Sequence, residues 1–124
     1  LNPVPKRQLA SLQKGADVGL MILANVPAFY YGTSPNKFFD YIATGLPVLN
    51  NYPGWLAELI KSNNCGIAVA PDDPEAFAEA LIYMAEHRQE LKAMASNAKA
   101  LAYREFGRDK LADEFIAFLE LHVK

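Results

Sequence analysis

Apolar runs and mixed polar segments follow one another along the chain, and their spacing predicts strands and helices in turn. The residues from Val18 to Leu23 form a continuous apolar run, which is typical of a parallel strand buried on both faces. Shorter apolar runs at 46–49 and 65–70 predict a second and a third strand. Strands that alternate with helical segments in this way indicate an α/β protein.

The segments between and after these runs carry the signals of helices. Helices are predicted over 6–14, from Ser34-Pro35 as cap and first residue to about Thr44, and over 55–62. Asp72 and Glu75 have the spacing of a capping box at the start of a further helix. That helix is expected to bury Phe77, Leu81 and Met84. The next helix has apolar residues at helical spacing, namely Leu91, Met94, Ala98 and Leu101. The last helix has an apolar stripe of Leu111, Phe115, Phe118 and Leu119.

The order of elements is thus a helix, then β-α-β-α-β, then three helices. Right-handed crossovers predict a Rossmann-like parallel sheet with helices on both faces. Sheets average about five strands, so a three-stranded sheet leads us to expect further strands on the N-terminal side. The chain also begins with Leu1 rather than Met, which supports the expectation of an excised piece.

Composition narrows the class of protein. With 124 residues, 52% of them apolar, the chain is expected to form one packed domain over 1–124. A net charge of −2, from 12 basic and 14 acidic residues, gives no electrostatic case for binding nucleic acid. The single cysteine, Cys65, excludes a disulfide framework and is expected in the core. No apolar run approaches the roughly 18 residues of a membrane span.

Candidate chemistry lies after the first strand. Ligands of open α/β sheets bind at the carboxyl ends of the strands, and the segment from Leu23 to Pro35 is such an end. The free amides that begin the next helix, together with Lys37, suit an anion. Asp40 follows Pro35 by about 7.5 Å of helix and could accept two hydroxyl hydrogen bonds from a ribose. Ordinary helix capping and a surface Lys–Asp pair are the alternative interpretation of the same spacing.

The segment Ser34-Pro35-Asn36-Lys37-Phe38-Phe39-Asp40-Tyr41-Ile42-Ala43-Thr44-Gly45-Leu46-Pro47-Val48-Leu49 resembles a signature of the family 4 glycosyltransferases, which are retaining enzymes of GT-B fold. The flanks are similar too, with Ala16-Asp17-Val18 before a strand, and Pro53-Gly54 followed by Glu58. The resemblance covers residues 3–120 and implies part of the C-terminal, donor-binding domain. Within the family it is most similar to the branch that makes bacterial surface polysaccharides.

The resemblance implies roles for particular residues. Asp40 takes the position of the acid that binds the ribose hydroxyls, and the residues around Ser34 meet the diphosphate. Many members carry a glutamate eight residues before the ribose acid, where this chain has Gly32. The expected binding residues for the nucleotide sugar are Gly32, Thr33, Ser34, Asn36, Lys37, Asp40 and Glu58. No catalytic residue is assigned.

The resemblance also implies a reaction. A sugar passes from a UDP-like nucleotide-diphosphate donor to an acceptor hydroxyl with retention, without metal or other cofactor, and catalysis depends on stabilising the departing diphosphate. The partner is an N-terminal Rossmann-like domain of the same enzyme, and this chain alone is expected to be inactive. A cytoplasmic location is implied, with peripheral association at the inner face of the membrane as an alternative.

Two other functions fit parts of the sequence. A nucleotide-sugar epimerase shares the GT-B fold and the donor, and needs acid and base groups from both domains. A non-catalytic α/β interaction module needs no unit like Ser34–Asp40. The length of the match from Ser34 onward favours the transferase.

Overall fold

The computed structural model describes residues 2–123, so Leu1 and Lys124 lie outside the described residues. Helices and strands follow the predicted order, with one additional short helix in the segment between the first strand and Asn36 that the sequence did not predict, and the α/β class is confirmed. The elements are α1 (Lys6–Gln13), β1 (Gly19–Met21), α2 (Pro27–Tyr30), α3 (Asn36–Thr44), β2 (Val48–Asn50), α4 (Trp55–Ser62), β3 (Gly66–Ala68), α5 (Pro74–Glu86), α6 (Arg88–Phe106) and α7 (Arg108–His122).

The three strands form one parallel sheet in the order β1-β2-β3. Leu20 of β1 pairs with Leu49 of β2, which pairs in turn with Ile67 of β3. Each strand has three residues, fewer than the apolar runs that predict them. Pro47 directly precedes β2, where its missing amide costs no ladder bond, and its carbonyl accepts a hydrogen bond of 2.8 Å from the Gly19 amide.

Two apolar cores lie on the two faces of the sheet, as a Rossmann-like arrangement requires. The larger core joins β2 to α3, α4 and the C-terminal half of α6, and its largest fully buried members are Met21, Phe38, Ile42, Leu56, Ile60 and Leu101. The smaller core lies against α5 and the N-terminal half of α6, and its buried members are Leu49, Ala80, Met84, Leu91 and Met94. Alternation along β2 sends Val48 to the first core and Leu49 to the second.

Burial on both faces of β1, predicted from its continuous apolar run, is wrong. Met21 is buried, but Leu20 is 37% exposed and Ile22 just beyond the strand is 61% exposed. The reason is that α5 and α6 cover β2 and β3 on that face, whereas β1 lies at the edge of the sheet beyond them. The apolar run therefore predicted the strand correctly, but it did not predict that one face of the strand is exposed.

Two predicted helix starts are shifted by one residue. Helix α3 begins at Asn36, with Pro35 as an extended N-cap, so Ser34 makes no side-chain cap and Pro35 is not the first helical residue. Helix α5 is capped by Asp73, whose carboxylate accepts a hydrogen bond of 2.9 Å from the Ala76 amide, and not by Asp72. At the other end of α3 the prediction is confirmed, because Gly45 ends the helix in the left-handed conformation (φ 76°).

The last three helices differ in how firmly they pack. The periodic residues of α6, namely Leu91, Met94, Ala98 and Leu101, are all buried as predicted. In α5, Met84 is buried, whereas Leu81 is 37% exposed, contrary to the prediction. Helix α7 has no buried residue, so its apolar stripe faces solvent in the described chain.

Candidate functional site

The segment that follows β1, residues 24–34, is tied to the end of the neighbouring strand; we call it the β1–α3 segment. The Asn51 side chain forms two hydrogen bonds with the backbone of Leu23, accepting one of 2.8 Å from its amide and donating one of 3.1 Å to its carbonyl. The Asn51 side chain thus extends the hydrogen bonding between β1 and β2 beyond the last paired residues of the two strands. The segment leaves the sheet at its carboxyl edge, where ligands of such folds bind.

Tyr30 anchors the middle of the β1–α3 segment. It lies in the short helix α2 and is only 6% exposed. Its ring stacks on Tyr52, with centroids 6.4 Å apart and planes 13° from parallel. Its carbonyl lies against Gly54 (φ 125°), where a Cβ would stand 2.4 Å from the Tyr30 oxygen. Glycine is therefore required at position 54 both by its dihedral angle and by this contact.

Trp55 links the end of the segment to helix α4. Its indole N–H donates a hydrogen bond of 3.3 Å to the Thr33 carbonyl, and its side chain stays 36% exposed. Thr33 is also fixed from within the segment, since its amide donates to the Phe29 carbonyl at 3.1 Å. The start of α4 therefore lies beside Gly32 and Thr33, with exposed Glu58 in the first turn of that helix.

One face of α3 gathers three of the predicted binding residues. Asn36 and Lys37 lie four and three residues before Asp40, so each is a neighbour of Asp40 on the helix surface. Asn36 and Lys37 are exposed and Asp40 is half-buried, while Phe38 on the opposite face is fully buried. The first amides of any α-helix have no intrahelical acceptor, and no side chain caps this helix. The Phe38 amide donates to the Pro35 carbonyl at 3.0 Å, so the free donors at the beginning of α3 are the amides of Asn36 and Lys37.

Asp40 is paired with a residue that the sequence did not indicate. Its carboxylate lies 3.6 Å from the Lys6 ammonium of α1, and the Lys6 side chain is 84% exposed. Such an exposed pair contributes little to stability. Asp40 also lines a cleft of about 670 Å³ between α3, the end of α6 and the start of α7, together with Phe39, Tyr103, Phe106 and Arg108.

Burial and nearby carboxylates hold the tyrosines of this region in their neutral form. The pKa of Tyr41 is raised first by burial and then by the charge of Asp40. The pKa of Tyr30 is raised by burial and by the charge of Asp72. A tyrosine hydroxyl is protonated at neutral pH even without such a shift, so both groups are hydrogen-bond donors there, and the raised pKa values extend this to higher pH.

Residues 2–123 show neither a cluster of metal ligands nor a membrane-spanning helix. In that part of the chain no group of three or more His, Cys, Asp or Glu side chains is placed to hold a metal ion. Likewise, none of the described helices is long and apolar enough to cross a membrane.

The predicted binding residues fall into two groups. Gly32 and Thr33 lie beside the start of α4, the helix that carries Glu58 in its first turn, and Asn36, Lys37 and Asp40 share one face of α3. Ser34 lies exposed between the groups and Gly32 has open space around it. Sequence reasoning missed Lys6 and Asn51, because their partners lie 34 and 28 residues away and no local signal marks such pairs.

Comparison with known proteins agrees with the arrangement of strands and helices. The family described as "Glycosyl transferases group 1" matches residues 2–87, which is more than half of the chain. The chain belongs to this family, and the activity of the family is glycosyl transfer. Neither the curated proteins nor the solved structures compared with the chain gave a match.

Proposed function

We propose that the chain binds the nucleoside diphosphate of a nucleotide sugar at the beginning of α3. The observation that carries the proposal is the face shared by Asn36, Lys37 and Asp40, next to helix amides that no side chain caps. A diphosphate there gains hydrogen bonds from the amides and favourable interactions with the helix dipole and the Lys37 ammonium. Lys37 otherwise stands at the positive end of a helix, where a cation is unfavourable unless an anion balances it.

Asp40 is the residue we assign to the ribose. It lies four residues beyond Asn36, about 6 Å along the helix axis, which matches a sugar that follows the diphosphate. An ionised carboxylate accepts up to four hydrogen bonds, so it suits the two adjacent hydroxyls of a ribose. Lys6 is exposed and its contact with Asp40 is weak, so the lysine can move aside when the ribose binds.

The reaction we propose is transfer with retention at the anomeric carbon. The bond from that carbon to the diphosphate oxygen breaks while an acceptor hydroxyl oxygen bonds to the carbon. Negative charge builds on the diphosphate, which takes up the proton that the acceptor hydroxyl loses. Lys37 and the first amides of α3 stabilise that charge. Gly32 and Thr33, with Glu58 from α4, lie on the side of the donor sugar. Gly32 offers no carboxylate there, so backbone groups of the β1–α3 segment contact the sugar in its place.

We further propose that a second Rossmann-like domain supplies the acceptor site and that the chain described here binds donor without catalysing transfer. A UDP-like donor, synthesis of surface polysaccharide, and a cytoplasmic location at the inner face of the membrane complete the proposal. These elements follow from the resemblance carried by residues 34–49.

The test is a titration of the ¹⁵N-labelled chain with UDP and, separately, with GDP, followed by amide NMR shifts. We expect shifts concentrated at residues 32–41, the segment that holds the assigned diphosphate and ribose contacts. Asp40→Ala should weaken the binding of the preferred nucleotide by about 1–3 kcal/mol, because two hydrogen bonds to a charged acceptor are lost.

A matched control is Glu79→Ala, which removes an exposed carboxylate from α5 and should leave the affinity unchanged. Lys6→Ala should leave it unchanged or raise it, since this lysine competes for Asp40. Equal affinity for wild type and Asp40→Ala would overturn the ribose assignment. Absence of shifts with both nucleotides would favour an interaction module instead.

A further inference from the structure

A chain of side-chain hydrogen bonds crosses the carboxyl edge of the sheet from the β3–α5 turn to the β1–α3 segment. The Asn25 amide nitrogen donates to a carboxylate oxygen of Asp72, 47 residues away in sequence. The amide oxygen of Asn25 accepts from the Tyr30 hydroxyl. Asp72, Asn25 and Tyr30 thus form a continuous connection, which we call the Asp72 latch.

Asp72 has no competing task at the start of α5. The N-cap of that helix is its neighbour Asp73, which accepts the Ala76 amide. Asp72 itself adopts the left-handed conformation with φ 53°, one of two non-glycine residues among 2–123 to do so. This backbone turn directs its carboxylate away from the helix end and toward Asn25.

The other end of the latch determines where Gly32 and Thr33 lie. Tyr30 is the last residue of α2; its ring packs on Tyr52, its carbonyl contacts Gly54, and its hydroxyl is held by Asn25. The chain then returns, because the Thr33 amide donates to the Phe29 carbonyl and the Trp55 indole donates to the Thr33 carbonyl. A shift of Tyr30 would therefore carry the residues proposed to face the donor with it.

We propose that Asp72 is a positioning residue for nucleotide-sugar binding: through Asn25 and Tyr30 it holds Gly32 and Thr33 where the donor meets them. This inference rests on the proposed function. Asp72 acts through Asn25 and Tyr30, so it is not assigned a contact with the donor.

The experiment uses three variants of the ¹⁵N-labelled chain. Asp72→Ala removes the acceptor, Asp72→Asn keeps an acceptor oxygen and removes the charge, and Glu75→Ala removes an exposed carboxylate three residues away as a control. The first readout needs no ligand: the hydrogen exchange rate of the Trp55 indole N–H and the shifts of the Gly32 and Thr33 amides. The second readout is the affinity for UDP and GDP.

For Asp72→Ala we expect faster exchange of the Trp55 indole proton and changed chemical shifts of the Gly32 and Thr33 amides. Nucleotide binding should be weaker by about three- to fivefold, the factor of one exposed hydrogen bond. Asp72→Asn should restore both readouts to within about twofold of wild type, because its amide oxygen accepts the same bond. Tyr30→Phe, which breaks the other end, should reproduce the Asp72→Ala effects.

Unchanged exchange and unchanged shifts in Asp72→Ala would overturn the latch, whatever the affinity. An affinity loss of the same size in Glu75→Ala would overturn it as well, by showing a general charge effect. Wild-type chain that binds neither nucleotide, with the exchange effects present, would refute the proposed function and leave the latch as a structural connection only.

Discussion

Tyr30 and Tyr52 stack on one another, yet their hydroxyl groups have different surroundings. The Tyr30 hydroxyl donates to Asn25, whereas the buried Tyr52 hydroxyl has no hydrogen-bond partner among residues 2–123. Tyr30→Phe should lower the free energy of unfolding by about 1 kcal/mol, the typical net value of a hydrogen bond. Tyr52→Phe should leave it unchanged or raise it, because an unpaired buried hydroxyl is unfavourable.

Urea unfolding of the two phenylalanine variants checks this prediction, since each keeps the stacked ring and removes only an oxygen. Equal losses in both variants would show that the Tyr52 hydroxyl is bonded in solution, and the contrast between the two tyrosines would be wrong.

The residues whose structural roles follow from sequence are those with local causes. Gly45 ends α3 and Cys65 is buried, as predicted, because a left-handed cap and an apolar strand start are encoded within a few positions. The Asn51 side chain bonds to the Leu23 backbone, 28 positions away. In the Asp72 latch, Asp72 bonds to Asn25, 47 positions away. Such pairs arise only when the strands are already side by side, so no local pattern indicates them.

At the start of α5, two adjacent carboxylates, Asp72 and Asp73, are candidates for the helix cap. Asp73 accepts the Ala76 amide, so Asp73→Ala should cost about 1 kcal/mol in the free energy of unfolding. Asp72→Ala should cost less, because its bond to Asn25 is exposed. The measurement is the urea midpoint of each variant at constant slope. A larger loss for Asp72→Ala would return the cap to the position that the capping-box spacing predicts.

Helices α6 and α7 offer a second contrast at the level of elements. Leu101 is fully buried in the larger core, so Leu101→Ala should cost about 2–5 kcal/mol through lost packing and the remaining cavity. Phe115 of α7 is 62% exposed, so Phe115→Ala should change the free energy of unfolding by less than about 0.5 kcal/mol. A large loss for Phe115→Ala in chemical unfolding would mean that α7 packs more closely in solution.

Elements were predicted best where periodicity and caps agreed. All four buried residues of α6 follow from its 3.6-residue spacing, and α4 was predicted at 55–62, the residues it occupies. Strand lengths and the burial of β1 were not predictable, because they depend on register with neighbours and on which helices cover each face. The same holds for the candidate site. The residues on the face of α3 were predicted from the sequence, but the pairing of Lys6 with Asp40 was not.

At the scale of the whole molecule, β2 unites the two cores. Val48 belongs to the core with α3 and α4, and Leu49 to the core with α5 and α6. Helix α6 contributes to both, through Ala98 and Leu101 on one side and Leu91 and Met94 on the other. Because neither face can lose its helices without exposing β2, we expect residues 15–106 to unfold as one cooperative unit.

Cys65 reports on that cooperative unit, since it precedes β3 and is fully buried in the larger core. Burial raises the pKa of its thiol to about 11. A thiol-specific reagent at pH 8 should therefore label Cys65 only when the core opens, and the labelling rate should increase with urea in parallel with unfolding. Rapid labelling without urea would show local opening at the start of β3.

The Cys65 thiol also makes the free energy of unfolding depend on pH, and the direction of its pKa shift fixes the sign of that dependence. The unfolded thiol ionises near its ordinary value of 9.0, while the folded thiol stays protonated to about 11. Between these values the unfolded state binds fewer protons, so stability decreases as the pH rises. Raised tyrosine pKa values act in the same direction, and the comparison with Cys65→Ala isolates the cysteine. Between pH 8 and 11, the free energy of unfolding measured with urea should decrease less steeply in Cys65→Ala than in the wild type. Equal slopes in the two proteins would mean that ionisation of the buried thiol is not linked to folding.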